Sequence, residues 1–436
     1  MLFLSFSLPA LYLSSLPLSL FAPSLKFLFK QEECMPIFNT ERFTSSKTHT
    51  STPLSHVLIK EDRVHGRQIA FVAAFLLPLS KFLETPALLS KYAAGDLLLP
   101  AILHFLLQSA VLGVLLFVVF RSQTPLITRL QQGLGKFFPL LCIFYAAYFI
   151  FGTILPLLDL EKFVYAAFFD TEPTVFSFGL FFILSAFICT KGIQCIGRVA
   201  DLCLFLFVVP FFAIVLMALS SSDFTHLLPL FGSKFGHTMS AFTRVTPHFS
   251  DAILLLPLLC YYPPKKEDKK KIMFGYAFGA ICTLVFLAVF YSTYSALAPR
   301  EHYAFSKIAQ YFPALSVLGR IDLIFVYLLS IVLLFFTCIP LQYSVQLLSV
   351  AFNKATYKIG LSFLLNTGLF FFVLYCNKYY NSFYDVFTRI FPIIFWFIAD
   401  MVPLFLIFLP KYEALSTPSH TIKNEHSIPK KEQLHG

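Results

Sequence analysis

The sequence contains little charge for its length. Only 13% of its 436 residues are Asp, Glu, Lys or Arg, about half of the share found in an average soluble protein. Hydrophobic residues make up 58%, and the mean hydropathy is +0.76. This composition excludes a soluble globular enzyme, a disordered chain and a nucleic-acid-binding protein. The formal net charge of +10 requires no polyanionic partner, because a membrane protein concentrates Lys and Arg in its cytoplasmic loops.

Motifs for catalysis and for cofactor or metal binding are also missing. The sequence has no Gly-rich phosphate loop, no Walker pattern, no HExxH and no GxSxG. Its nine cysteines form no CxxC pair, and most of them lie within apolar runs. We therefore expect small buried cysteines and neither disulfides nor metal ligands. The sequence predicts neither an enzyme nor a bound cofactor.

Long apolar runs dominate the chain after residue 66. A helix needs about 20 apolar residues to cross the hydrocarbon core, and over runs of this length only helices satisfy the backbone in lipid. The sequence therefore predicts an all-α polytopic protein in the lipid bilayer. About ten transmembrane helices are expected, over residues 67–89, 96–120, 136–158, 175–190, 200–220, 247–262, 272–297, 320–352, 358–377 and 385–409.

Two tails flank the predicted transmembrane domain of residues 66–410. The first tail, residues 1–65, begins with an apolar segment (1–34) that is either signal-like or a start-site artefact, with Met35 as the alternative start. The second tail, residues 411–436, is expected to be cytoplasmic. Basic residues are more numerous in the loops on the side of the two tails, which predicts that both ends lie inside.

Ionisable residues interrupt several of the apolar runs. Such residues are costly inside a membrane and usually face the bundle interior or a pathway. Lys81 and Glu84 are three residues apart and should share a helix face, so we expect them to form an ion pair. They either neutralise each other within the bundle or line a polar cavity. Asp251 lies near the start of the sixth run, and either Arg389 or Asp400 in the tenth can lie near a membrane edge.

Prolines divide the first and the sixth run. Pro78 and Pro86 enclose polar residues of the first run, and Pro247 precedes the sixth. Proline removes a backbone donor and frees a carbonyl, so both spans are predicted to be broken. Broken spans five apart suit an inverted five-plus-five repeat, in which the two breaks face each other across a midplane cavity. An ordinary span with a proline kink is the alternative.

Three stretches together resemble a known family, the B subunit of bacterial spore nutrient-germinant receptors (the GerAB family), within the amino acid–polyamine–organocation superfamily. The resemblance lies in an opening segment, in the loop before the fifth span and in a Leu-Leu-Pro segment after it. Their sequences are Arg67-Gln68 with Ser80-Lys81-Phe82-Leu83 and Ala94-Gly95-Asp96, then Lys191-Gly192-Ile193-Gln194 to Asp201, then His226-Leu227-Leu228-Pro229 to Gly232.

The resemblance implies a ten-span inverted-repeat fold in the inner membrane of a dormant spore. It implies a sensor of a nutrient, usually an amino acid, that works with a larger A subunit and a lipoprotein C subunit. Two other functions remain open. One is an amino-acid permease of the same superfamily coupled to H⁺ or Na⁺, and the other is a structural or assembly protein with a vestigial pocket.

The family's pocket draws on spans one, three, six and eight. Candidate ligand-binding residues are therefore Ser80, Lys81, Glu84, Tyr145, Tyr148, Phe249, Ser250, Asp251, Thr337 and Tyr343. Ordinary aromatic and hydroxyl packing is the alternative for the tyrosines and the threonine. The chain departs from the family at Leu79 and Ser250, where Gly is common, and at Glu84, where an apolar residue is usual. These departures predict a non-standard ligand.

Overall fold

The computed structural model describes the chain in segments from residue 64 to residue 408. The segments cover residues 64–122, 124–168, 174–228, 232, 235–310, 322–352, 357–379 and 391–408. All regular secondary structure within them is helical, which confirms the predicted all-α architecture for this part of the chain. The expectations for residues 1–34, for Arg389 and for the tail after residue 410 fall outside the described residues.

The described residues form a series of helices. In chain order they are α1 (Gly66–Leu79), α2 (Thr85–Ala93), α3 (Leu98–Phe120), α4 (Leu126–Leu134), α5 (Phe138–Phe168), α6 (Thr174–Thr190), α7 (Ile193–Leu219), α8 (Phe235–Val245), α9 (Asp251–Cys260), α10 (Asp268–Tyr294), α11 (Ala304–Gln310), α12 (Asp322–Ala351), α13 (Lys358–Lys378) and α14 (Phe391–Phe408).

Seven helical segments of the described residues are long and apolar enough to cross a membrane. They are Leu98–Phe120, Leu126–Val164, Ile193–Leu219, Asp268–Arg300, Ile324–Ala351, Lys358–Cys376 and Phe391–Phe408. Each of the ten predicted runs overlaps a helix, but the first and sixth runs are divided into shorter helices, and the fourth forms a helix of 17 residues. The structure thus supports a multi-pass membrane protein, while the count of ten spans stays a prediction.

Helix α1 lies in the centre of the bundle, between α7 and α10. Its approach to α10 depends on glycine, since a Cβ at Gly275 would lie 2.5 Å from the Ala70 carbonyl oxygen and one at Gly279 would lie 2.7 Å from that of Ala73. Small residues allow helix backbones to pack closely in membranes. This contact fixes the position of α1 and of the chain break that follows it.

Candidate functional site

The first predicted break is present between α1 and α2, where residues 80–84 are not helical. Proline at the start of α2 costs no helical hydrogen bond. The carbonyl groups of Phe82 and Leu83 accept hydrogen bonds from the backbone N–H groups of Phe305 and Ala304, both at 3.1 Å. These donors belong to the first turn of α11, where no intrahelical acceptor exists. The break and the start of α11 therefore satisfy each other's backbone groups.

The second predicted break separates α8 from α9. A 3-10 turn over Thr246–Phe249 contains Pro247 and ends at Ser250, and the chain resumes as a helix at Asp251. The Ser250 hydroxyl donates to the Pro247 carbonyl at 3.3 Å. Asp251 occupies the first turn of α9, where a carboxylate is stabilised by the helix dipole.

A buried ion pair joins the two breaks. Lys81 Nζ lies 2.6 Å from Asp251 Oδ1, and the two side chains are 1% and 2% exposed. Lys81 also donates to the Leu77 carbonyl at 3.1 Å, and Tyr276 donates through its hydroxyl to Asp251 Oδ2 at 3.2 Å. The ammonium group further lies 5.2 Å from the ring centroid of Phe249.

The predicted ion pair between Lys81 and Glu84 is wrong. A separation of three residues places two side chains on one face only in a continuous helix, and the backbone between these residues is not helical. Lys81 therefore pairs with Asp251, which is 170 residues away in sequence.

Gln108 on α3 extends this polar centre to α14. Its Oε1 accepts the Ala252 N–H at 3.0 Å, and its Nε2 donates to Asp400 Oδ1 at 2.7 Å. Asp400 is 1% exposed, so it lies inside the bundle, as expected for an ionisable residue within a span. The π-helical turn of α14 directs its carboxylate into the bundle. Sequence reasoning missed Gln108, although a glutamine within an apolar run is a signal that could have identified it.

A cavity of about 100 Å³ lies beside the breaks. Five of the predicted ligand-binding residues line it, from both breaks and from α5 and α12. They are Ser80, Glu84, Tyr148, Ser250 and Thr337. Lys81, Phe249 and Asp251 do not line it, because they are buried in the ion-pair cluster.

Tyr145 and Tyr343 lie at a second, apolar cavity of about 50 Å³ that shares Phe149 with the first. Tyr145 is one helical turn from Tyr148, so two tyrosines of one helix reach different cavities. Both Tyr145 and Tyr343 are buried, and neither hydroxyl has a hydrogen-bond partner among the described residues. The structure therefore divides the ten candidates among the first cavity, the ion-pair cluster and the second cavity.

Asp159 on α5 was not identified from the sequence. It lines the first cavity together with Glu84 and is 4% exposed. Pro156 precedes it within a continuous helix, and its position directly after the third apolar run is a signal that could have marked it. No group of three or more His, Cys, Asp or Glu side chains in the described segments is arranged to hold a metal ion.

Comparisons with known proteins locate the chain in a family. No curated protein matches its sequence at a significant level. Two crystal structures of mutants of the Eremococcus coleocola manganese transporter are similar to it, at 11% and 10% identity and TM-scores of 0.46 and 0.47, each covering 83% of this chain and 81% of the other. A family model described as "Spore germination protein" matches residues 98–409. The match extends over more than half of the chain and confirms the resemblance, so this multi-pass integral membrane protein belongs to the spore germination protein family.

Proposed function

We propose that the chain is the membrane subunit of a nutrient germinant receptor, which detects a small molecule in the cavity beside the two breaks. The observation that carries this proposal is the convergence of Ser80, Glu84 and Ser250, from both breaks, on one cavity with Tyr148. Family membership supports the role in spore germination, and the resemblance found in the sequence indicates an amino acid as the usual class of nutrient.

The Lys81–Asp251 pair gives such a receptor a way to respond. It fixes the end of α1 to the start of α9, and the cavity lies between these elements and α5. A ligand that binds better when the breaks are in one relative position shifts the protein toward that position. A coupling free energy of about 1–3 kcal/mol changes the balance of the two states by roughly 5- to 150-fold. Sensing therefore requires no release of ligand to the other side.

The remaining parts of the proposal rest on the resemblance and on the sequence pattern. They are ten spans in a five-plus-five inverted repeat, both ends inside, and assembly with a larger A subunit and a lipoprotein C subunit in the inner spore membrane. The overlap of every predicted run with a described helix supports the span count. The breaks in the first and sixth runs support the repeat, since they are five runs apart.

Gene deletion in the spore-forming host tests the proposed function. Spores that lack the gene should fail to germinate in response to at least one nutrient from a panel of amino acids, sugars and amines. Uptake of the same labelled compounds by vegetative cells should be unchanged. Normal germination on the whole panel would contradict the proposal.

Expression in an uptake-deficient strain tests the alternative. Restored growth on a single amino acid would show an amino-acid permease coupled to H⁺ or Na⁺, and the receptor proposal would then be wrong. A structural or assembly role would show as loss of germination on every nutrient, including those that other receptors detect.

A further inference from the structure

Glu84 is a buried carboxyl group that takes no part in the pair between Lys81 and Asp251. It is 9% exposed and lies in the wall of the first cavity. Its Oε2 has no hydrogen-bond partner in the described part of the chain. An unsatisfied carboxylate oxygen in a buried site costs free energy, so this position calls for a bound partner.

Two further acidic groups lie near Glu84. Its carboxyl group lies within hydrogen-bonding reach of Asp159, which lines the same cavity. Glu161 is buried nearby, and all three carboxyl groups interact electrostatically with Lys162. The exposed His302 also faces Glu84. Three carboxyl groups thus lie close to Lys162, which is only partly buried.

Among the residues described, the lining of the same cavity contains no Lys or Arg to bind a ligand's carboxylate, and its one imidazole is that of His248. Lys81 is held by Asp251 at 2.6 Å. The start of α9 is also occupied, since Asp251 lies in its first turn and the Ala252 N–H donates to Gln108. In a zwitterion site, the N-terminus of α9 would bind the ligand's carboxylate. Here the Asp251 carboxyl group and the Gln108 side-chain amide already occupy it.

Aromatic rings form much of the remaining wall. Tyr148, Phe149, Phe336 and Phe395 line the cavity, and the Tyr148 and Phe395 rings lie 5.0 Å apart. Aromatic faces attract organic ammonium groups and also pack against short alkyl chains. The walls thus match a small molecule with a positive group at one end and an apolar remainder.

We propose that Glu84 and Asp159 bind the ammonium group of a small organic amine, so that the nutrient is a cationic amine and needs no carboxylate. This inference rests on the proposed function, because it names the ligand class of the same cavity.

Binding to the purified full-length chain in lipid nanodiscs tests the inference directly. The probes are n-propylamine, alanine and propionate, which share a three-carbon skeleton and differ in charged groups. We expect propylamine to raise the thermal unfolding midpoint with a saturable concentration dependence, alanine to act more weakly and propionate to have no effect. Equal or stronger stabilisation by alanine or propionate would overturn the inference, and so would no effect of propylamine.

Matched variants separate the carboxyl pair from general effects of charge. Glu84→Gln should weaken propylamine binding about ten- to hundredfold, the range for loss of a hydrogen bond to a charged group. Asp159→Asn should act in the same direction, and Glu84→Asp should retain part of the affinity. Glu267→Gln, the same substitution in an exposed loop, should leave binding unchanged.

Folding and function are checked separately from binding. A monodisperse gel-filtration peak in detergent shows that a variant is folded, and Asp159→Asn with Glu84→Asp decides the question if Glu84→Gln does not fold. Unchanged propylamine affinity in the folded variants would refute the role of the pair. The germination test of the gene deletion does not depend on these probes, so either proposal can fail while the other holds.

Discussion

Replacing Lys81 by methionine tests how far the two helix breaks depend on their ion pair. At the Nζ–Oδ1 separation of 2.6 Å, the Coulomb attraction is about 6 kcal/mol at an effective dielectric constant of about 20. Removing both ions from water costs several kcal/mol for each ion. The intact pair is therefore close to neutral for stability, whereas a single remaining charge keeps its desolvation cost and loses its partner.

We expect Lys81→Met and Asp251→Leu each to lower the free energy of unfolding by about 3–5 kcal/mol. The double variant should lose less than either single variant, because no buried charge is left without a partner. Its remaining cost is about 1 kcal/mol for the Tyr276 hydroxyl, which loses its acceptor. The measurement is unfolding of the purified protein in mixed micelles, followed by circular dichroism as the SDS fraction rises.

An exposed pair of the same charges is the control. Lys307 and Glu301 lie 3.4 Å apart with side chains 44% and 26% exposed, so Lys307→Met should cost at most about 1 kcal/mol. Two results together would refute a desolvated ion pair between the breaks. Each single substitution at Lys81 and Asp251 would cost less than the control, and their effects would add in the double variant.

Three further predictions concern packing, the polar centre and orientation. Gly275→Ala should lower the free energy of unfolding by roughly 1–3 kcal/mol, because its Cβ would lie 2.5 Å from a backbone oxygen of α1. The control is Gly113→Ala, whose added Cβ meets no atom within 4 Å; it should be neutral or stabilising by about 0.5–1 kcal/mol. If both substitutions changed the thermal denaturation midpoint equally, the close packing of α1 against α10 would be contradicted. Gln108→Leu should cost about 1–3 kcal/mol for each polar group that it leaves unsatisfied, and a variant as stable as the native protein would show that water replaces the amide. In a cysteine-free background, Glu301→Cys should react with an impermeant maleimide in intact cells and Glu267→Cys only after permeabilisation; the reverse pattern would mean that the orientation is wrong.

The sequence correctly predicted the features that depend on local chemistry. Long apolar runs must be helical in lipid, and proline removes a hydrogen bond when it lies in the interior of a helix. The breaks after Leu79 and before Asp251 were predicted from prolines that adjoin polar residues, whereas Pro156, Pro210 and Pro340 lie inside continuous helices. The family resemblance in the opening segment and in the loops was also readable without coordinates, because it rests on short stretches of neighbouring residues.

The prediction of an ion pair from sequence spacing was wrong where the backbone is not helical. Lys81 and Glu84 were paired on the assumption of a continuous helix, although the same prolines predicted a break between Pro78 and Pro86. Once the helix ends, side-chain direction no longer follows a period of 3.6 residues. Glu84 then faces the cavity and Lys81 faces the start of α9.

The sequence by itself determined that this chain is helical, spans the membrane several times and is broken in its first and sixth apolar runs, because composition and proline act through near neighbours. Only the tertiary structure decided which polar groups meet. Lys81 and Asp251 are partners although they are far apart in sequence, and so are Gln108 and Asp400, while Asp159 reaches the cavity from a third part of the chain. In a low-dielectric interior each buried polar group must find a partner, and the packing of the helices determines which one is within reach.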